Sequence, residues 1–262
     1  MTNRTFLKKT KLWSPALGML VIGCAFSGGA QALAVSGESG AYGVNVEANG
    51  LVTGQVLATP EVSGTAPAPY SETDSVTDLD ALGIVQTGVI VVNAASDVDG
   101  APGIKFANAD STVNELSIVV PGLLEPLVTI TATTVMSEAS VTGEFPGSLT
   151  VFGDSLIEDL MVSGSLLGTD INIAGDAAAG PNTVLLNEPG ITLILNEQIQ
   201  NGDSIIVNAL HLIVDVAGVQ SVDIIIAQSR ANLTAVPLPA AVWMLMPALG
   251  MLGVIRRRRW TS

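Results

Sequence analysis

The chain has 262 residues, of which 48% are apolar and only 4% aromatic, so its core must be built mainly from Val, Ile, Leu and Ala. The charges are unevenly placed: four basic residues lie within residues 1–11 and four within 256–259. Between them, Lys105 and Arg230 face all 24 acidic residues, which gives this part a formal charge of −22. Such a charge excludes binding to nucleic acid or anionic lipid, because phosphate binding requires clustered Lys and Arg.

Residues 1–32 have the order of a secretory signal peptide. A basic segment is followed by an apolar segment at residues 17–26 and then by small residues, with Ala30 and Ala32 in an A-x-A cleavage pattern. Positive charge stays on the cytoplasmic side while a short apolar helix enters the membrane. We therefore expect export through the secretion translocon and cleavage by signal peptidase after Ala32.

Two other interpretations of this segment stay open. It is an uncleaved membrane anchor in the first, although its apolar part is short for a bilayer span. In the second, Val21–Cys24 acts as a lipobox, and cleavage before Cys24 is followed by acylation of the thiol. Cleavage after Ala32 would remove the only cysteine of the sequence, which excludes disulfides, thiolate zinc sites and cysteine nucleophiles from the mature protein.

The C-terminal segment 236–262 contains an uncharged run of 20 residues, 236–255, which is long enough to cross a bilayer as a helix. Four arginines follow at once, and positive charge of this kind stays on the cytoplasmic side, leaving the bulk of the chain outside. The sequence therefore predicts a transmembrane helix through residues 236–255 with a cytoplasmic anchor of four residues. The anchor consists of Arg256, Arg257, Arg258 and Arg259.

The order of a short motif, an apolar span and an arginine cluster resembles the PEP-CTERM class of sorting signals in its VPLPA variant. The motif residues are Val236, Pro237, Leu238, Pro239 and Ala240. The resemblance implies recognition by an exosortase-like, membrane-embedded enzyme that cleaves near the motif and releases the protein or transfers it to another carrier. It further implies a role in an envelope, exopolysaccharide or biofilm system.

Residues 33–235 consist of short Val, Ile, Leu and Thr runs separated by Gly, Pro, Asn and Asp, which is typical of a β-sandwich. We expect an extracellular all-β domain with an antiparallel, sandwich-like fold, and a β-solenoid is the alternative architecture. The flanking segments are expected to be a signal helix and a transmembrane helix. Strands are predicted at 42–48, 51–57, 84–92, 114–120, 127–141, 148–152, 156–162, 183–186, 191–196, 204–216 and 222–229.

Connections are predicted from turn residues. Asn49-Gly50 favours a type I′ hairpin turn, because both residues accept positive φ. The prolines and acids of 59–80 predict a long loop, and 174–182 a second loop. The segment 156–162 is also compatible with a helical turn. The apolar runs at 205–207 and 224–226 predict central strands that are buried on both faces.

The body of the chain resembles the choice-of-anchor P family. The resemblance depends on Pro181–Thr183, Leu195–Gln198, Val207–His211 and Ile225–Ser229, and it covers most of residues 37–232. In this family related domains are attached to the cell surface by different C-terminal devices. The resemblance implies no enzymatic activity.

Few residues of the body suggest chemistry. His211 is the only histidine and lies in a predicted strand, so we expect it to be a structural hydrogen-bonding residue. Asp97 and Asp99, followed by a glycine, form a candidate calcium-binding loop, although Asp and Gly are also ordinary turn residues. Acids at 74, 78, 80 and 110 were candidates to complete such a site. A histidine-cysteine zinc site is excluded by composition.

These observations predict a protein without catalytic activity or cofactor, exported first as a tethered precursor in the inner membrane. It would then act at the cell surface or in the extracellular matrix, structurally or as an adhesin, with exopolysaccharide as a candidate partner. One alternative is a secreted enzyme that acts on polysaccharide, although the body has no Trp and only five Tyr and Phe residues to stack on sugars. Another is a calcium-stabilised binding module, whose melting temperature would respond to chelation.

Overall fold

The computed structural model describes residues 33–144, 148–166, 169–177 and 180–236. The predicted signal peptide, the sorting motif after Val236, the apolar span and the arginine cluster lie outside these residues. Residues Ala32–Val236 form one compact unit. The described residues form fourteen strands: β1 (Leu33–Gly50), β2 (Gly54–Ala66), β3 (Tyr70–Thr77), β4 (Asp80–Ala81), β5 (Val85–Gln86), β6 (Val89–Ser96), β7 (Lys105–Val120), β8 (Val128–Gly143), β9 (Leu149–Leu166), β10 (Thr169–Ala177), β11 (Thr183–Glu188), β12 (Ile191–Asn201), β13 (Ser204–Val216) and β14 (Gln220–Val236).

The strands pair antiparallel in two sheets. Sheet A has the order β11-β12-β13-β14-β1-β2, and sheet B has the order β10-β9-β8-β7-β5-β4, with β6 pairing with both β7 and β3. Strand β14 packs against β7 and β8, while β13 packs against β8 and β9, so the inner faces of the sheets cover each other. The predicted all-β, antiparallel class is confirmed, and within the described ranges there is neither a helix nor a solenoid coil.

Aliphatic side chains fill the space between the sheets, and small residues let the sheets approach closely. A Cβ atom at Gly43 would overlap Ile90 of the opposite sheet, and one at Gly153 would overlap Ile205 and Val207. The fully buried core of the described residues is aliphatic, with Tyr70 packed against it as a partly buried residue, in agreement with the low aromatic content of the sequence.

Buried serines link the two sheets through hydrogen bonds. Ser137 Oγ of sheet B lies 2.7 Å from Ser229 Oγ of sheet A, and both residues are fully buried. Ser111 Oγ of sheet B donates to the carbonyl oxygen of Tyr42 in sheet A over 2.9 Å. Buried hydroxyl groups require partners, and here each sheet supplies the partner for the other.

The long strands change the phase of their alternation near the middle. In β7 the odd-numbered residues from Lys105 to Val113 face the core, and after Glu115 the even-numbered residues do so. In β13 the inward residues are Ile205 and Val207 before the change, and Leu210 after it. In β7 the shift occurs at Glu115, whose left-handed backbone conformation bends the strand and adds one position to one phase.

These irregular positions lie side by side on neighbouring strands, and we call the line that they form the break. In sheet A the paired register skips from Leu195–Leu210 to Glu197–Asn208, and from Asn208–Gln228 to Leu210–Ile226. Two strands of each sheet, β12 and β14 in sheet A and β7 and β9 in sheet B, carry a non-glycine residue with positive φ at the break. These residues are Glu115 (54°), Asp159 (51°), Asn196 (51°) and Ala227 (53°).

Several predicted connections are wrong. The expected loop at 59–80 is mostly strand, since β2 continues to Ala66 and β3 follows at once. Strand β2 is the edge of sheet A, where a proline such as Pro60 is tolerated because one side of the strand needs no hydrogen-bond partner. The expected loop at 174–182 begins later, because β10 extends to Ala177.

The first hairpin exists, but its turn differs from the predicted one. Ala48 pairs with Gly54, so five residues connect the strands, whereas a two-residue type I′ turn would pair Ala48 with Leu51. The run at 84–92 is divided between β5 and β6. The two strands expected at 148–152 and 156–162 are a single strand, β9, without a helical turn.

The predicted start of β12 and both predicted ends of β13 are confirmed, whereas β12 continues to Asn201, beyond its predicted end at residue 196. Gly190 and Gly202 adopt positive φ in the turns that precede β12 and β13. Strands β13 and β14 are central in sheet A. They are fully buried on one face only, because Ile206 and Ile225 on the outer face are half-buried.

Candidate functional site

A cluster of polar side chains with mutual hydrogen bonds lies on the outer face of sheet A, at the break. Three of the segments that carry the resemblance to the choice-of-anchor P family meet there: Leu195–Gln198 in β12, Val207–His211 in β13 and Ile225–Ser229 in β14. Pro181–Thr183 adjoins them, since Asn182 donates its backbone N–H to the Asn196 carbonyl and accepts from Gln198 N–H. Distant parts of the sequence are thus assembled into one surface.

Five side chains of this surface form what we call the polar row, because they are register neighbours across five strands. From β2 to β12 they are Glu61, Tyr42, Gln228, Asn208 and Glu197. All five belong to the outward phase of their strands. The side chain of Asn208 is nevertheless only 3% exposed, because its neighbours cover it.

The row is joined by direct hydrogen bonds. Gln228 Nε2 donates to Asn208 Oδ1 over 2.7 Å, and Asn208 Nδ2 donates to Glu197 Oε2 over 2.6 Å. Tyr42 is hydrogen-bonded to Gln228, and burial raises the pKa of its phenol far above the ordinary value. At the other end, Arg230 Nη2 lies 3.9 Å from Glu61 Oε1, so a cation joins the row to the edge strand.

His211 lies beside the row, between two carboxylates. Its Nδ1 is 2.9 Å from Glu197 Oε2, and its Nε2 is 3.2 Å from Asp223 Oδ1. The hydrogen bond to Asp223, followed by the one to Glu197, raises the pKa of His211 from 6.5 to about 9, against the opposing effect of burial. In turn, the hydrogen bond from His211 lowers the pKa of Glu197. At neutral pH the cluster is therefore an imidazolium held by two carboxylates.

This arrangement stabilises strand pairing and does not activate a nucleophile. A general base needs a ring nitrogen with a free lone pair near the proton that it accepts, whereas both nitrogens of His211 point at carboxylates. The hydroxyl group of the row belongs to Tyr42, whose raised pKa keeps it protonated. The prediction that His211 is a hydrogen-bonding residue of the sheet is confirmed, and the sequence missed its two carboxylate partners.

The calcium candidates Asp97 and Asp99 lie in the connection between β6 and β7. Asp97 Oδ1 accepts the backbone N–H of Phe106 over 2.6 Å. Asp99 Oδ1 accepts from Ala101 N–H and lies 2.6 Å from Lys105 Nζ. The hydrogen bond from Lys105, followed by that from Ala101, lowers the pKa of Asp99. An ammonium group therefore stands where a bound cation was expected.

The acids that were candidates to complete a calcium site are elsewhere. Asp110 lies on the outer face of sheet B and accepts from Asn93, while Asp80 accepts the N–H of Gly83 in a turn. Within the part of the chain that the structure describes, no three His, Cys, Asp or Glu residues are grouped to hold a metal ion.

The predicted delivery signals fall almost entirely outside the described residues. These include the cleavage-site residues Ala30 and Ala32, motif residues 237–240 and the cluster 256–259. Of the motif, Val236 alone is described, as the last residue of β14. Among the residues with a described structure, none belongs to a helix long and apolar enough to span a membrane.

Comparisons with known proteins add little. No family model matches the chain, and no curated protein matches it. Among solved structures, the crystal structure of Ail, the attachment invasion locus protein of Yersinia pestis, is similar with a TM-score of 0.16 and 5% identity, over 76% of this chain and 99% of that one. A TM-score this low supports no statement about fold or function, so both depend on the chain's own residues.

Proposed function

We propose that this chain is an exported protein without catalytic activity that is sorted by an exosortase-like enzyme and acts at the cell surface or in the extracellular matrix. Its role there is structural or adhesive. The sandwich is the part that remains after processing, and residues 236–255 hold the precursor in the inner membrane until then.

One observation carries this proposal. Strands β1 and β14 pair antiparallel along their whole lengths, with Leu33 opposite Val236. The sandwich therefore begins and ends at the same end, which we call the terminal end. The expected signal peptidase site directly precedes Leu33, and Val236 is the first residue of the VPLPA motif, so both proposed processing steps act on chain next to one end of a folded domain.

The chemistry of the described residues supports a non-catalytic role. Both ring nitrogens of His211 are hydrogen-bonded to carboxylates. The two basic residues of the described sandwich form ion pairs, Lys105 with Asp99 and Arg230 with Glu61. A surface with so much negative charge favours solubility and cationic partners, and it disfavours phosphate-containing ligands. Exopolysaccharide remains a candidate partner where it is neutral or cationic.

Intact-mass analysis of the protein from the native host tests the proposal. We expect the form in the medium or on the cell surface to begin at Leu33 and to end within or near residues 236–240. Replacing the four arginines 256–259 with Gln should abolish processing, whereas Arg230→Gln, in the sandwich, should not change it. A surface form that retains Arg256–Arg259 would refute sorting by cleavage, and one that begins at Cys24 with an added lipid would replace the signal peptidase interpretation.

A further inference from the structure

The end of the sandwich opposite the terminal end carries exposed leucines. We call it the distal tip and define it by the connections 51–53, 121–127 and 217–219. Leu124 is 99% exposed, Leu123 72% and Leu51 50%. Three large apolar side chains are thus exposed at the same end of the domain, and exposed apolar side chains grouped in this way are typical of a binding site.

The distal tip also contains two cavities that share Val219 in their lining. One, of about 360 Å³, is lined by Leu123, Leu124, Glu125, Leu127 and Val219. The other, of about 500 Å³, is lined by residues 49–51 and 215–221, and so includes Val219 as well. A leucine-sized or larger apolar side chain of a partner can therefore enter the tip instead of merely touching it.

Hydrogen bonds between two of the three connections hold residues 51–53 against the start of β14. Gln220, only 2% exposed, donates from Nε2 to the Val52 carbonyl over 3.0 Å and accepts the Val52 N–H at Oε1 over 3.1 Å. Leu51 N–H donates to the Val219 carbonyl over 3.2 Å. This part of the tip is therefore already formed and loses less entropy on binding, which favours affinity.

The charge of the distal tip is negative. Glu125 and Asp215 line the cavities, and Glu188 precedes the Gly190 turn that is hydrogen-bonded to Asp215. Both basic residues of the described sandwich lie elsewhere. Lys105 begins β7 at the terminal end, and Arg230 lies on the terminal side of the break. Apolar surface is therefore combined with uncompensated negative charge.

We propose that the distal tip docks a segment of another protein that presents apolar side chains beside Lys or Arg. The cavities receive the apolar groups, and the carboxylates attract the cations. An anionic bilayer would be repelled by the same carboxylates, and a second acidic tip would be repelled in the same way. The outward orientation of the tip on the cell depends on the proposed function, whereas the binding itself does not.

Fluorescence anisotropy with a labelled synthetic amphipathic peptide of Leu and Lys tests this inference on the full chain purified from the host. Burying one leucine contributes roughly tenfold in affinity. We therefore expect Leu123→Ser to weaken binding about tenfold, and the double variant with Leu124→Ser to weaken it further. Ile104→Ser is the matched control: Ile104 is 69% exposed at the terminal end, and this change should leave the affinity unchanged.

Equal affinity of all variants, or the absence of peptide binding, would overturn the inference. Leucine-dependent binding to phosphatidylglycerol vesicles in place of the peptide would replace the protein partner with a membrane. Leucine-dependent dimerisation in sedimentation velocity would replace it with a second copy. Because the replaced side chains are exposed, we expect the variants to fold, and their melting temperatures verify this. An unprocessed C-terminus in the mass analysis would refute the proposed sorting but would leave the peptide result unaffected.

Discussion

The pairing of His211 with two carboxylates predicts a pH-dependent contribution to stability. A rise in its pKa from 6.5 to about 9 corresponds to about 3.4 kcal/mol at about 1.36 kcal/mol per pKa unit. Asp223 is 55% exposed, and solvent screens its share, so we expect about 1–2 kcal/mol. Because the folded state holds the proton more tightly, this stability is fully present below pH 6.5 and is lost as the pH rises through about 9.

Urea unfolding of the wild type and of His211→Gln measures this contribution. The free energy of unfolding should differ by about 1–2 kcal/mol more at pH 6 than at pH 10. Arg230→Gln is the control, since its guanidinium stays charged over this range and its effect should not change with pH. A loss in His211→Gln that is the same at pH 6 and pH 10 would refute an imidazolium between Glu197 and Asp223.

Three further predictions concern the interior and the break. Ser229→Ala should cost about 1–2 kcal/mol, because it leaves the buried Ser137 hydroxyl without its partner, whereas Ser137→Ala should cost less, because Ser229 Oγ still donates to the Ser137 carbonyl over 3.2 Å. The double change should cost less than the sum of the two, and additive losses in chemical denaturation would contradict a shared hydrogen bond. Glu115→Gly should raise the free energy of unfolding by about 0.5–1 kcal/mol and Glu115→Val should lower it, because φ there is 54°; the opposite order would argue against the left-handed conformation. Lys105→Met should keep the melting temperature within a few degrees of the wild type, because Asp99 is exposed and the apolar part of the Lys105 side chain is retained. Lys105→Ala should lower the melting temperature, because that buried apolar part is lost. Equal melting temperatures of the two variants would show that the buried part of the side chain contributes nothing.

The strands were readable from the sequence where the evidence is local. The apolar run at 204–216 predicted both ends of β13, because the tendency to form a strand depends on neighbouring residues. The prolines of 59–80 were misleading, since the same residues suit a loop or an edge strand. The choice depends on which strand is at the edge, and that is a property of the whole sheet.

The break leaves a signal in the sequence of β13. In β13 the inward residues Ile205 and Val207 are odd-numbered, whereas Leu210 and the inward residues after it are even-numbered, so the change of phase is visible once period two is followed along the whole strand. Its alignment with breaks on neighbouring strands is not visible, because alignment requires the register. For the same reason His211 could be expected to form hydrogen bonds, but Glu197 and Asp223 could not be named as its partners.

The break accounts for the position of His211 beside the polar row, and the hydrogen bonds of the row stabilise the strands at the break. An outward residue in a regular strand is followed by the next outward residue two positions later, but at the break in β13 both Ala209 and Leu210 are fully buried, so Asn208 and His211 are consecutive on the outer face. His211 therefore reaches back diagonally, and its Nδ1 shares Glu197 Oε2 with Asn208 Nδ2. These hydrogen bonds on the outer face stabilise the bent strands at the break, where a skipped register position weakens the pairing of the backbones. A cluster whose donors and acceptors are used in this way has few left for a ligand, which is a reason to seek the partner of this protein at the distal tip and not on the face of sheet A.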